Sequence, residues 1–543
     1  MIFQMITSSR VFVVGVCIAC CLCAQQPDIA AARIRAHVKF LSSDLLEGRG
    51  PGTRGDQLAT EYIATQFALA GLKPAGDHGT FFQQVPLIGI ETEPSARLSA
   101  DKDGQALDFK WADDFVGVNE KQTVEDQFEA EAIFVGHGIV APEFQWNDFK
   151  DVDVRGKVVV LFTNEPASTD PKFFGGRALT YYGRWTYKYE EATRKGALAA
   201  ILIHTTPTAG YGWEVVRNSW SREQPYVKLA GGENALSMAG WVTQDAGEKL
   251  LALAGHHVDE LLKASDSRDF RPIPLGFRIR GKLPTKIREI QTRNVAGLVE
   301  GSDPKLKSET VIYSAHWDHL GVGTPVNGDA IYNGAIDNAT GCGILLELAH
   351  AWAAQAKKPR RSALFLAVTA EEGGLRGSEY YAAHPKIPAT KTALGINYDA
   401  VPPYGRTRDV VVNGAERTTA WPVVQSIAKQ MGLTINPDPR PEQGSYYRSD
   451  HFAFAHVGIP AFSVESGEEY VGKPRDFGEK IFEEYNTKNY HQPSDEFQET
   501  WDFSGLAEMA RFGFAIGTEV ANQDRLPTWR AGDEFLAARE KVE

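Results

Sequence analysis

Three stretches of this chain share one construction: a short apolar run that ends in a side chain able to hold a metal. Val311–Ala315 (VIYSA) runs into His316, Ala363–Ala370 (ALFLAVTA) into Glu371 and Glu372, and Leu394–Tyr398 (LGINY) into Asp399. A short, nearly unbroken apolar run reads as a strand buried on both faces, as in a parallel sheet covered by helices. In open sheets of that kind, ligands gather at the carboxyl edge of the strands. The repetition predicts an α/β domain whose functional side chains converge on one edge.

Two further side chains complete a set. Asn333-Gly-Ala-Ile-Asp337 is a polar loop leading into an apolar helical stretch, and it sets Asp337 where one carboxylate could bridge two ions. Tyr490-His491-Gln-Pro-Ser-Asp495 supplies a late histidine in a loop stiffened by Pro493. Taken singly, each residue has an ordinary reading, such as a helix cap for Asp337 or a solvated strand end for Glu371 and Glu372. Taken in order, His316, Asp337, Glu372, Asp399 and His491 form the mixed nitrogen and oxygen set that suits a pair of zinc ions. Glu371 is adjacent to a ligand but points another way, which suits a general base. Asp318 is expected to accept from the second ring nitrogen of His316, and Asp495 to support His491. His319 reads as a bystander or a loop hydrogen-bonder. The sequon Asn338-Ala-Thr340 is set aside, because a glycan there would block the site.

The stretches SAHWDHLG, NGAIDNATG, TAEEGGLRGSEYY, INYDA, RSDHFAFAHVGIPAF and YHQPSDEF resemble the M28 family of two-zinc peptidases. The resemblance spans about residues 311–497, and the Glu47–Gly55 loop (EGRGPGTRG) with its flanking helices is similar to the start of the family's catalytic domain. It implies a mixed, largely parallel sheet flanked by helices, of the zinc exopeptidase type. It also implies that Asp337 bridges both ions, that His316 and Asp399 complete one site, and that Glu372 and His491 complete the other. Glu371 matches the family's base. A cis peptide is implied at Asp337–Asn338. By similarity, Tyr446 or Tyr447 donates to the tetrahedral intermediate, while Arg448 could meet a substrate carboxylate. Peptides are the implied substrates and an aminopeptidase the leading activity. A carboxypeptidase, a related glutaminyl cyclase and a non-catalytic binding protein are the alternatives.

At 543 residues the chain is expected to hold more than one domain. Residues 25–110 and 286–524 read as the two parts of the peptidase domain, and 525–543 as a charged, peripheral tail. Between them, 111–285 carries buried-strand patterns but no ligand set. VGHGIVAPEF and GKVVVLF give it a weaker resemblance to an inserted, β-rich protease-associated (PA) domain. The net charge of −13 without a basic stripe argues against nucleic acid as a partner. Residues 1–24 read as a signal peptide: Arg10 precedes a twelve-residue apolar run, Val11–Leu22, too short to span a membrane. Four of the five cysteines lie in that leader, so only Cys342, read as a packing residue, stays in the mature chain. An exported chain without an internal disulfide suits a bacterial periplasmic or secreted enzyme, and a lipid anchor on a leader cysteine lacks a good lipobox. Oligomeric state leaves no sequence signature.

Overall fold

The computed structural model describes residues 29–229 and 234–542. The leader expected at 1–24 lies outside the described residues.

The chain opens with two helices, α1 (Ala31–Leu41) and α2 (Arg54–Leu69). Each buries a helical stripe: Ile34, Val38 and Leu41 in the first, Ala59, Ile63 and Phe67 in the second. Thr53 caps α2 by accepting from the Asp56 N–H. Gly71, at φ +83°, turns the chain out of α2, and the Leu72 N–H returns to the Phe67 carbonyl.

The strands that follow are β1 (Phe82–Thr92), β2 (Phe115–Val118), β3 (Glu125–Phe134), β4 (Val158–Phe162), β5 (Ala199–Ile203) and β6 (Met238–Val242). Helices α3 (Trp185–Arg194) and α4 (Trp213–Trp220) lie among them. A 27-residue strand, β7 (Ile273–Val299), comes next. The last four strands are β8 (Thr310–His316), β9 (Ser362–Val368), β10 (Thr392–Asn397) and β11 (Ala461–Ser463). Helices α5 (Gly341–Ala354) and α6 (Ser504–Asn522) belong to this last part.

Spatial order along the main sheet is β11-β10-β8-β9-β7-β3-β4-β5-β6-β2. β11, β10, β8 and β9 are mutually parallel. So are β3, β4, β5 and β6. β7 runs antiparallel to both blocks, pairing β9 through Val295–Val299 and β3 through Ile273–Pro284. The fold is thus a mixed, largely parallel sheet flanked by helices. In β8, Val311, Tyr313 and Ala315 face the core shared with α1, α5 and α6, while Ile312 faces the opposite apolar layer. Glu347, buried in α5, accepts from the Ala30 N–H at 2.5 Å and Arg33 at 2.8 Å, which docks α1 on the sheet.

The sequence differs from the structure in two places. β7 begins at Ile273, before residue 286, where the second part of the peptidase domain is expected to start. Its first half alternates buried Ile279, Gly281 and Leu283 with outward Arg278, Arg280 and Lys282, so the charged face hides the strand from an apolar-run search. The tail is not peripheral. Trp529, Phe535 and Arg539 are buried, the Trp529 indole donates to the Gly458 carbonyl, and Arg539 donates to Ala389.

Candidate metal centre

The ligand candidates meet because their strands end together. His316 is the last residue of β8 and pairs in register with Val368 at the end of β9. Glu371 and Glu372 follow just beyond. Ser314 of β8 pairs with Asn397, so Asp399 emerges at the same edge. Ala370, Ala400 and His491 all adopt left-handed backbone, at φ +52°, +49° and +56°, where the chain turns sharply beside each functional side chain.

The geometry divides around Asp337. Its Oδ1 lies 3.2 Å from His316 Nε2, and its Oδ2 lies 3.5 Å from His491 Nε2. His316 Nε2 also stands 3.1 Å from Asp399 Oδ1, and His491 Nε2 3.0 Å from Glu372 Oε2. Glu371 Oε2 is 3.9 Å from His316 Nε2. All five candidates and Glu371 therefore crowd one site. Glu372 Oε1, His491 Nε2 and both ring nitrogens of His319 are buried without a hydrogen-bond partner. Buried polar atoms are normally paired. Donor atoms that converge this closely and still lack hydrogen-bond geometry fit a centre that holds cations.

The electrostatics agree. Burial pushes the Glu371 carboxyl well above the carboxylate range, Asp399 and Glu372 push it further, and His316 opposes them. Burial would lower His491, but Glu372 and Asp337 hold it up at about 9. Burial also raises Asp337, yet His316 and His491 pull it well below the ordinary value. Four carboxylates in so small a volume call for cationic charge to offset them.

The supports come partly from unexpected partners. The Asp337–Asn338 peptide bond is cis, as the resemblance implied. Asp495 does not touch His491; it accepts from the Ile336 and Asp337 N–H groups at 3.0 and 3.1 Å and so fixes the Asp337 loop. His316 Nδ1 is 3.2 Å from the Asp318 backbone carbonyl, while the Asp318 carboxylate stands 3.7 Å away and accepts from the Glu371 N–H. Asp399 is held by a relay in which Ser314 donates to Asn397, Asn397 to Ser449, and Ser449 to Asp399 at 2.5 Å. Arg49 is buried and donates to the carbonyls of Leu41, Trp317, Asn333 and Gly334 at 2.5–2.9 Å, which ties the N-terminal loop to two ligand loops. His491 Nδ1 finds Ser219 Oγ at 2.9 Å, from α4.

Tyr446 and Tyr447 are engaged elsewhere. The Tyr446 hydroxyl donates to the Ala461 carbonyl, and that of Tyr447 to Glu534. Their place near the site is taken by Tyr490, whose ring lies 4.0 Å from that of His491 and whose hydroxyl accepts from Arg448 at 3.4 Å. His319, set aside as a bystander, sits inside the cluster with Nδ1 2.6 Å from Glu372 Oε1. Cys342 packs as expected: it is buried, its Sγ faces the His316 carbonyl, and burial pushes its thiol up to about 12. Asn338 is fully buried, consistent with setting its sequon aside.

Two cavities open onto the cluster. One of about 670 Å³ reaches Glu371, Glu372 and His491 and is walled by Trp185, Tyr189 and Trp220. The other, about 260 Å³, reaches Asp337, Glu371 and Asp399. Arg448 and Tyr490 line both.

The model for peptidase family M28 matches residues 294–514. Over those residues the chain is similar to the M28 peptidases. It is a hydrolase, and its substrates are peptides. Among solved structures, an aminopeptidase from Aneurinibacillus sp. strain AM-1 is 18% identical with a TM-score of 0.55, over 93% of this chain and 97% of that one. A zinc aminopeptidase from Bacillus subtilis is 17% identical with a TM-score of 0.49, over 96% and 100%. The first of these shows that this chain shares its fold with that protein. Among the described residues no helix is long and apolar enough to cross a membrane.

Proposed function

We propose that the chain is a two-zinc aminopeptidase. The observation that carries this reading is the split of Asp337, with one carboxylate oxygen directed to His316 and the other to His491. On this reading His316 and Asp399 would hold one ion and Glu372 and His491 the other, with Asp337 placed to serve both. Bound zinc would supply Lewis-acid polarisation of the scissile carbonyl and a water of lowered pKa. Glu371 would take a proton from the attacking water and pass it to the leaving amine. Its position beside His316, with Oε2 3.9 Å from Nε2, and its place lining both cavities suit that transfer. Tyr490, beside His491 and within reach of Arg448, is better placed than Tyr446 or Tyr447 to donate to the oxyanion.

The printed names of the two structural neighbours support the amino end as the one recognised. Arg448, half-buried and lining both cavities, favours a second reading, a carboxypeptidase whose substrate carboxylate it would bind. Residues 111–285, together with the hairpin Arg97–Phe109 that pairs with β7, are proposed as a PA-like inserted unit. An exported location is proposed on the leader sequence alone.

One peptide set with free or blocked ends, assayed on zinc-replete protein with a chelated control, tests the activity. Cleavage lost only when the amino end is blocked is the expected result. Loss only on blocking the carboxyl end moves the assignment to carboxypeptidase. No chelator-sensitive cleavage of any peptide rejects both.

A further inference from the structure

The inserted half reaches into the metal centre itself. α4 runs from Trp213 to Trp220, and its last turn meets His491 at two points. Ser219 Oγ lies 2.9 Å from His491 Nδ1. The Asn218 side-chain amide donates to the His491 carbonyl at 3.3 Å. Arg222, just beyond the helix, donates to the Leu320 carbonyl and lies 4.2 Å over the Tyr332 ring, clasping the hairpin that follows His319. The partners are 272 residues apart in the chain, so this contact exists only when the two halves are assembled.

A neutral imidazole offers one nitrogen as acceptor and one as donor. His491 Nε2 faces Glu372 and Asp337, and it has no hydrogen-bond partner of its own. That nitrogen is the one free to accept a cation. Nδ1 must then carry the proton, and Ser219 Oγ is where the proton points. Such an outer partner fixes both the tautomer and the ring angle of a ligating histidine. Asp495, the partner that sequence reading offers, is engaged with backbone N–H groups of the Asp337 loop instead. Trp220, the next residue along α4, walls the large cavity. One helix therefore shapes the substrate space and sets a ligand.

We propose that Ser219 is a positioning residue for His491, and that the inserted half thereby completes one of the two metal sites. The proposal rests on the two-zinc reading given above. It is tested by zinc affinity, measured by competition with a chromophoric chelator on full-length protein, alongside kcat, KM and Tm. Ser219→Ala should weaken one of the two ions about 10- to 100-fold, leave the other unchanged, and lower kcat more than it raises KM. Ser219→Thr, which keeps the hydroxyl, should restore affinity to within a few-fold of the parent. His491→Ala should weaken the same ion, and adding Ser219→Ala to it should cost nothing further, because the cycle then has no contact left to remove. Ser219→Ala with both ions held as tightly as in the parent overturns the proposal alone. So does an affinity loss that Thr fails to rescue, or one fully additive with His491→Ala. A parent that binds no zinc overturns the two-zinc reading and this proposal together.

Discussion

The two halves of the main sheet are built alike and used differently. Each is a block of four parallel strands set against the common antiparallel strand β7, and each buries ionisable side chains near its strand ends. Beside the β3–β6 block, Asp148, Glu165 and Lys188 are satisfied. Asp148 accepts from the Ile139 N–H at 3.0 Å and the Trp146 indole at 2.8 Å. Glu165 accepts from the Thr180 N–H and hydroxyl, and Lys188 donates to the Asn164 carbonyl at 2.7 Å. Beside the β8–β11 block, Glu372, His319 and His491 hold buried atoms that crowd one another, at 2.6 and 3.0 Å, without hydrogen-bond geometry. Buried charge is therefore no sign of function by itself. What separates the two halves is whether that charge is already answered by the protein.

Glu371 gives the sharpest test of the contrast. Glu371→Gln keeps the shape but removes the base, and kcat should fall about 10²- to 10⁴-fold while zinc content by atomic absorption stays at the parent value. Turnover near the parent's would remove Glu371 from the chemistry. Arg49→Met should be the costliest change to stability. It strands the carbonyls of Leu41, Trp317, Asn333 and Gly334 in the interior, for a loss of about 3 kcal/mol or more by urea denaturation. Zinc affinity should fall with it, since two of those carbonyls flank the ligand loops. Lys188→Met, in the inserted half, should cost about 2 kcal/mol and leave zinc affinity of the folded protein unchanged. A loss of zinc affinity there would erase the distinction between the halves.

Asp56 gives the mildest test, through pH. It is buried in α2, and burial raises its carboxyl from 3.8 to about 6, against the opposing hydrogen bonds of Thr292 and the Gly52 N–H. The folded state thus holds the proton more tightly than the unfolded chain. That contribution is complete below about pH 4 and is lost as pH rises through 6. The Tm of the parent should therefore drop relative to Asp56→Asn between pH 4 and 7. A difference that stays level across that range would show that Asp56 is not held protonated in the fold.

The strands that end at the metal centre were legible because each is apolar throughout and then breaks into His316, Glu371 or Asp399. The helical stripes of α1 and α2 were legible for the same reason, a regular spacing of buried side chains. What escaped was set by contacts between distant segments. Nothing near Ser219 marks it as a neighbour of His491. Tyr446 and Tyr490 look equally suitable in sequence, and only packing turns the first toward Ala461 and the second toward the site. His319 was passed over because a His-x-Asp-His string gives no sign of which ring turns inward. The early part of β7 escaped because its exposed face is basic, and the tail because its buried Trp529 and Phe535 are widely spaced among charges.

The pairing of β1 with β7 carries a consequence for how such a molecule can be taken apart. Thr92, where the chain leaves the first strand, lies directly opposite Thr285, where it comes back, and the two strands stay in register from there to Phe82 and Val295. Topologically this is a β-hairpin in which a whole domain stands where two residues would serve. A tight turn joining Thr92 to Thr285 would graft the hairpin shut without moving either strand. The resulting miniature would keep every candidate ligand, the Arg49 clasp and Glu371, but it would have no α4 to lean on.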